Sequence, residues 1–290
     1  MTALFAIVAS IFIGASDVAG GVASRTRDSA SMTALMHLIA LPLLIVAAVS
    51  RGAPDVHVSD LGASAVSGAL TGMAYIWFFA ALAKGSVAIV VPITASTAVI
   101  TPVVVAVIGG ERPSALAWIG VLGCLVAVPL CGMGEQNSEL EAEVRTQWSP
   151  LRQSVVAATT GVGFGSFYAV MGHTSSTSGT WPTVVVVTVA GLVTAAVSLG
   201  RERSAPTSSP PFGGRPDGAT AIAGGGLAFG DILNTVALQR GPLTTTAVLG
   251  NLYPLVAVVI ARVVLSERFT TAQASGLALG VAGAGCISLG

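Results

Sequence analysis

The feature that most constrains this chain is a succession of apolar stretches, roughly ten in number, each about as long as a helix must be to cross a bilayer. A hydrocarbon core about 30 Å thick is spanned by about 20 residues at a rise of about 1.5 Å each. The stretches fall near 3–22, 32–50, 62–83, 87–109, 115–133, 154–173, 181–199, 219–239, 244–265 and 273–290. Most polar punctuation between them is short, but two connectors, 134–153 and 201–218, are longer and rich in Pro, Ser and charge. The predicted fold is therefore an all-α integral membrane protein of about ten transmembrane helices. Only 9% of the residues are charged, against about 25% in soluble domains, and mean hydropathy is +0.84.

The same composition excludes several function classes. Net charge is zero and no basic tract is present, so nucleic acid is excluded as a partner. Cys124, Cys131 and Cys286 lie in apolar runs without CxxC or Cys/His spacing, and neither a metal nor a cofactor is expected. The first apolar run lacks a positive leading region and has an internal counterpart, so it reads as a retained helix.

That counterpart belongs to an internal repeat. Ala81-Leu82-Ala83-Lys84-Gly85 aligns with Ala237-Leu238-Gln239-Arg240-Gly241 at a displacement of 156 residues, from position 81 to position 237. Without a gap, Glu111-Arg112-Pro113-Ser114 then meets Glu267-Arg268-Phe269-Thr270, and Gly120 meets Gly276. Generic similarity between apolar helices does not account for coincident charged turns. The expected organisation is a five-helix unit at 1–133, a polar connector at 134–153 and a second five-helix unit at 154–290. An odd number of helices per unit makes the second enter the membrane in the opposite sense, so the repeats are inverted. Inverted repeats underlie alternating access in many secondary transporters.

On these residues the chain resembles the drug/metabolite transporter superfamily, specifically its EamA-like ten-helix members. The resemblance rests on the A-L-x-x-G turns at 81–85 and 237–241 and the E-R-x-(S/T) turns at 111–114 and 267–270. The family also places a proline thirteen residues before that glutamate. Pro254 fits, whereas the first unit has Ala98 there, between Pro92 and Pro102. The resemblance implies a multi-pass transporter of the cell (plasma) membrane with both termini in the cytosol. The distribution of Lys and Arg implies the opposite orientation, because only Arg51, Arg112 and Arg240 share the face of the termini.

Three ionisable residues fall within the spans, where each is costly: Asp17, Asp231 and Arg262. Asp17 shares a small, polar helix face with Ser10, Gly14 and Gly21. Asp231 has Asn234 one turn on, and its repeat partner is Tyr75. Asp17, Asp231, Asn234 and Tyr75 are the expected proton- and solute-binding group, and related small multidrug transporters use an acidic residue of the first helix. Interhelical hydrogen bonding is the alternative for both carboxylates. Arg262 lies near a helix end and reads as snorkelling or pairing with Glu267. His37 and His173 read as structural. Thr97, Asn251 and Tyr253 are expected to line the cavity, although threonine can return its hydroxyl to its own helix. Small-xxx-small spacing at Gly68/Gly72, Gly161/Gly165, Gly226/Gly230 and Gly276/Gly280 signals close helix packing and admits a homodimer through the fifth or tenth helix.

The predicted function is a secondary transporter: a proton-coupled exporter of a small metabolite, amino-acid-like or cationic, with solute, protons and lipid bilayer as its partners. An intramembrane aspartyl protease is the enzymatic alternative, but Ala228 stands where a GxGD motif needs glycine, so no enzyme is expected. A non-transporting membrane scaffold is the third reading.

Overall fold

The computed structural model describes residues 1–24, 27–132, 148–204, 217–265 and 270–289. The first unit comprises α1 (Thr2–Ala23), α2 (Ser29–Arg51), α3 (Val58–Lys84), α4 (Val87–Ile108) and α5 (Ala115–Gly132). The second comprises α6 (Pro150–His173), α7 (Trp181–Ser204), α8 (Gly218–Leu238), α9 (Leu243–Gly250), α10 (Tyr253–Leu265) and α11 (Thr271–Leu289). Helix starts follow local chemistry. Asp28 accepts from Ala30 N and Ser31 N at the start of α2, and Ser149 accepts from Arg152 N ahead of Pro150 at the start of α6. The latter cap starts α6 earlier than the apolar run alone suggests.

Nine of the described helical stretches are long and apolar enough to span a bilayer, counting Leu243–Ile260 as one, and Ala115–Cys131 is a shorter apolar helix. The chain is thus a multi-pass membrane protein, with nine such spans among the described residues and α5 as the shorter tenth apolar helix. The ninth crossing differs from expectation in being broken into α9 and α10. The α-helical ladder of α9 ends with Asn251 N on Ala247 O, Leu252 N tightens to Leu249 O, and α10 begins at Tyr253 with Pro254, which has no N–H to donate, in its first turn. The equivalent position in α4 is Ala98, and α4 runs unbroken with Pro92 and Pro102 inside it.

Repeat-related helices run antiparallel. Along α5 and α11, Cys124 Sγ faces Gly280 O and Cys131 Sγ faces Gln273 O, both at 3.9 Å, so one chain ascends as the other descends. A Cβ on Gly120 would lie 2.5 Å from Gly283 O, and one on Gly276 would lie 2.8 Å from Ala127 O. The 156-residue displacement converts the first pair into the second, which is the mark of a two-fold relation. Helix neighbours obey the same exchange. Where α1 packs on α8, α6 packs on α3; where α6 packs on α4, α1 packs on α9 and α10; α2 and α7 face each other across the axis, as do α5 and α11. The two units are therefore inverted.

Bilayer lipid offers no apolar driving force between helices, so close backbone approach has to hold such a bundle. A Cβ on Gly68 would fall 2.5 Å from Val186 O, and one on Gly226 2.8 Å from Phe12 O; Gly161 packs on Thr94 and Thr97, and Gly276 on Ala127. All four small-residue pairs are consumed inside one chain, so they carry no separate signal for a dimer. Apolar side chains such as Leu38, Val46, Ile119 and Val281 are exposed on the outer faces, where lipid lies.

Candidate functional site

The site forms where α1 is clasped between α8 and the break in the ninth crossing. Ser16 Oγ donates to Ala223 O of α8 at 2.7 Å. Gly14 brings α1 against Tyr253 O, which a Cβ there would approach to 2.8 Å, and Gly230 is filled by the Ile13 side chain. This packing turns Asp17 of α1 and Asp231 of α8 into one cavity, where they are 8% and 7% exposed. The rest of the wall comes from His37 of α2, Thr71 and Tyr75 of α3, Phe164, Phe167 and Tyr168 of α6, Val186 and Val187 of α7, and Asn251 and Tyr253 at the helix break.

Both carboxylates, Tyr75, Asn251 and Tyr253 thus meet as a group. Asn234 is buried just behind the wall, where its Nδ2 donates to Tyr168 Oη at 3.3 Å. Thr97 does not line the cavity: its hydroxyl is 2.8 Å from Ile93 O and 3.1 Å from Thr94 O, and Gly161 presses on it from α6. Arg262's side chain, Glu267 and Arg268 lie outside the described residues. His173 Nδ1 turns to Ala169 O at 2.7 Å, at the end of α6. His37, expected to be structural, is instead part of the cavity wall, with its ring edge-on to Tyr75 at 5.5 Å and its Nδ1 2.7 Å from Thr33 O. The aromatic lining from α6 was also missed. Tyr75 and Phe164 are 4.6 Å apart centroid to centroid, and Phe167 is edge-on to Tyr168 at 5.5 Å. Nothing in a uniformly apolar segment marks which aromatic faces inward.

Unpartnered polar atoms gather at the wall, the Asp17 and Asn251 oxygens as acceptors and the Thr71 and Tyr253 hydroxyls as groups that donate or accept. Asp17 Oδ1, Asn251 Oδ1, Thr71 Oγ1 and Tyr253 Oη are buried without a hydrogen-bond partner among the described residues, and Asn234 Oδ1 shares that condition beside them. Among the described residues, no Lys or Arg lines the cavity. Unmatched acceptors in low dielectric favour a donor-bearing or positively charged occupant. The cavity volume is about 40 Å³, room for roughly three waters. No group of three or more His, Cys, Asp or Glu suited to a metal occurs among the described residues.

Two inverted halves meeting around a buried site are how secondary transporters expose one site to either face of a bilayer in turn, and the fold defines a protein of that class. The chain belongs to the EamA-like transporter family, whose match covers residues 1–133 and 145–289. It is a membrane transporter of small solutes and not an enzyme. Among solved structures, one crystal structure of a protein 20% identical in sequence superposes with a TM-score of 0.73, covering 99% of this chain and 96% of the other. That likeness concerns the fold. No curated protein matches the sequence.

Proposed function

We propose that the protein exports a small organic cation across the cell membrane in exchange for protons, with Asp17 and Asp231 as the shared binding group. The observation that carries this reading is the pairing of two buried carboxylates with the unmatched Asn251 amide oxygen and aromatic rings in a cavity that no Lys or Arg lines among the described residues. An ammonium group satisfies such a wall through charge, hydrogen bonds and cation–π contact with Tyr75, Phe164 or Tyr168. An amino-acid-like zwitterion finds its ammonium partner there, but no cationic side chain for its carboxylate. Protons and cation compete for the same oxygens, so each unit of solute leaving a site is replaced by protons entering it, which is the logic of exchange.

Reconstituted protein tests this. With tetramethylammonium added outside liposomes containing a trapped pH dye, protons should leave the lumen as the cation enters. Cation movement with no proton counter-movement overturns the coupling. Movement of a neutral amino acid with no cation movement overturns the solute class.

A further inference from the structure

A second cavity opens on the side of the bundle between α2 and α7, the two helices facing each other across the two-fold relation. Its volume is about 310 Å³, and its walls are Ala34, Leu38 and Leu41 from α2 and Gly191, Leu192 and Ala195 from α7. Leu38 and Leu192 stand at its mouth, 64% and 65% exposed, so it opens toward lipid. Thr188, the hydroxyl-bearing residue in its wall, donates to Val184 O at 2.7 Å, which leaves the surface functionally apolar.

This groove lies directly against the central site. His37 and Val187 belong to the walls of both cavities, so a single layer of side chains separates them. A Cβ placed on Gly191 would meet only His37 Cβ, at 3.2 Å, so the partition is thin on the α7 side. The inner cavity presents acid and aromatic faces in a space too small for an extended molecule, while the outer groove offers an apolar surface one layer of side chains away, behind His37 and Val187.

We infer that the α2–α7 groove holds the apolar tail of an amphiphilic organic cation whose charged head sits at Asp17 and Asp231, and that such solutes reach the site sideways from the bilayer. The inference rests on the cation reading above and specifies the substrate class further. A lipid acyl chain resident in the groove is the competing occupant, and the test separates the two.

Binding is measured on the purified protein in nanodiscs, with tetramethylammonium and decyltrimethylammonium as probes, in the parent and in Ala195→Phe, which fills the groove. The parent should prefer the tailed cation by about tenfold or more, since burial of one methylene is worth roughly a factor of four. In Ala195→Phe that preference should collapse. Because the readout is a ratio within each protein, a loss of folded material does not imitate it. Equal affinity for both probes in the parent, or a preference that survives in Ala195→Phe, overturns the tail groove while leaving the cation reading intact. The second of these results points to bilayer partitioning, with lipid in the groove. Failure of the parent to bind either cation overturns the cation reading itself.

Discussion

The carboxylate of Glu111, just beyond α4, accepts the backbone N–H of Leu243, the first residue of α9, at 2.6 Å. Its other oxygen accepts Thr244 N at 3.0 Å. One side chain of the first unit thereby caps a helix of the second, filling two of the donors that a helix start leaves open and placing negative charge at the positive end of its dipole. The E-R-x-(S/T) turn, which reads in sequence as a loop signature, is here an inter-repeat clasp.

Glu111→Ala should lower the stability of the detergent-solubilised protein by about 1–3 kcal/mol, the range for a charged hydrogen-bond partner removed from half-buried donors. Glu111→Gln keeps an acceptor oxygen and should lose less. Thermal unfolding followed by tryptophan fluorescence checks both. Equal, negligible shifts would mean the clasp is ornamental.

Close approach across the two-fold relation predicts a paired effect. A Cβ at Gly120 or Gly276 would fall 2.5 or 2.8 Å from a backbone oxygen of the facing helix, which cannot rotate away. Gly120→Leu and Gly276→Leu should each destabilise by about 1–3 kcal/mol or more, the cost of overpacking. Gly225, with open space beside it, should accept Ala with little change. Thermal unfolding series of the three variants give the comparison.

The N-cap of α8 offers a pH-dependent prediction outside the membrane. The Thr220 backbone N–H, which donates to Asp217 Oδ1 at 2.7 Å, and Arg27 Nε at 3.7 Å hold the Asp217 carboxyl below the usual carboxylate range. A group depressed on folding contributes stability that is present above its unfolded value and fades as pH falls through its folded one. Asp217→Ala should therefore cost about 0.5–2 kcal/mol at pH 7, and toward the low end because the group is largely exposed. The difference from the parent should shrink below about pH 4, near the unfolded value of an aspartate. Unfolding midpoints at pH 7 and pH 3.5 test the sign.

Hydropathy was enough to place the ten apolar helices, and charged turns at a fixed displacement revealed the repeat, because charge is rare in such a chain and its coincidences are conspicuous. Asp17 and Asp231 were legible for the same reason. The inward aromatics Phe164, Phe167 and Tyr168 were not, because in lipid both faces of a helix are apolar and periodicity no longer separates inside from outside. Thr97 misled because its hydroxyl has two outlets of similar worth, a cavity or its own backbone, and the choice depends on Gly161 of another helix. The break in the ninth crossing was not read from the sequence, where Pro254 served only as a family-motif match. Proline content alone does not foretell the break, since α4 runs unbroken with Pro92 and Pro102 inside it.

The proposed roles of the two carboxylates can be tested without disturbing the fold. Asp231→Asn keeps the size of a protonated carboxyl and can still donate and accept hydrogen bonds, but it can no longer exchange a proton. The variant should insert, elute and unfold like the parent, because the Thr235 hydroxyl bonds the backbone oxygen of residue 231 and not its side chain. In the parent, protons compete with the cation, so cation binding should weaken as pH falls. In Asp231→Asn that dependence should flatten, and a pH gradient imposed across liposomes should no longer drive uphill cation movement. Asp17→Asn should act in the same direction. If both variants concentrate tetramethylammonium against its gradient as well as the parent does, the two carboxylates serve helix packing and the coupling lies elsewhere in the bundle.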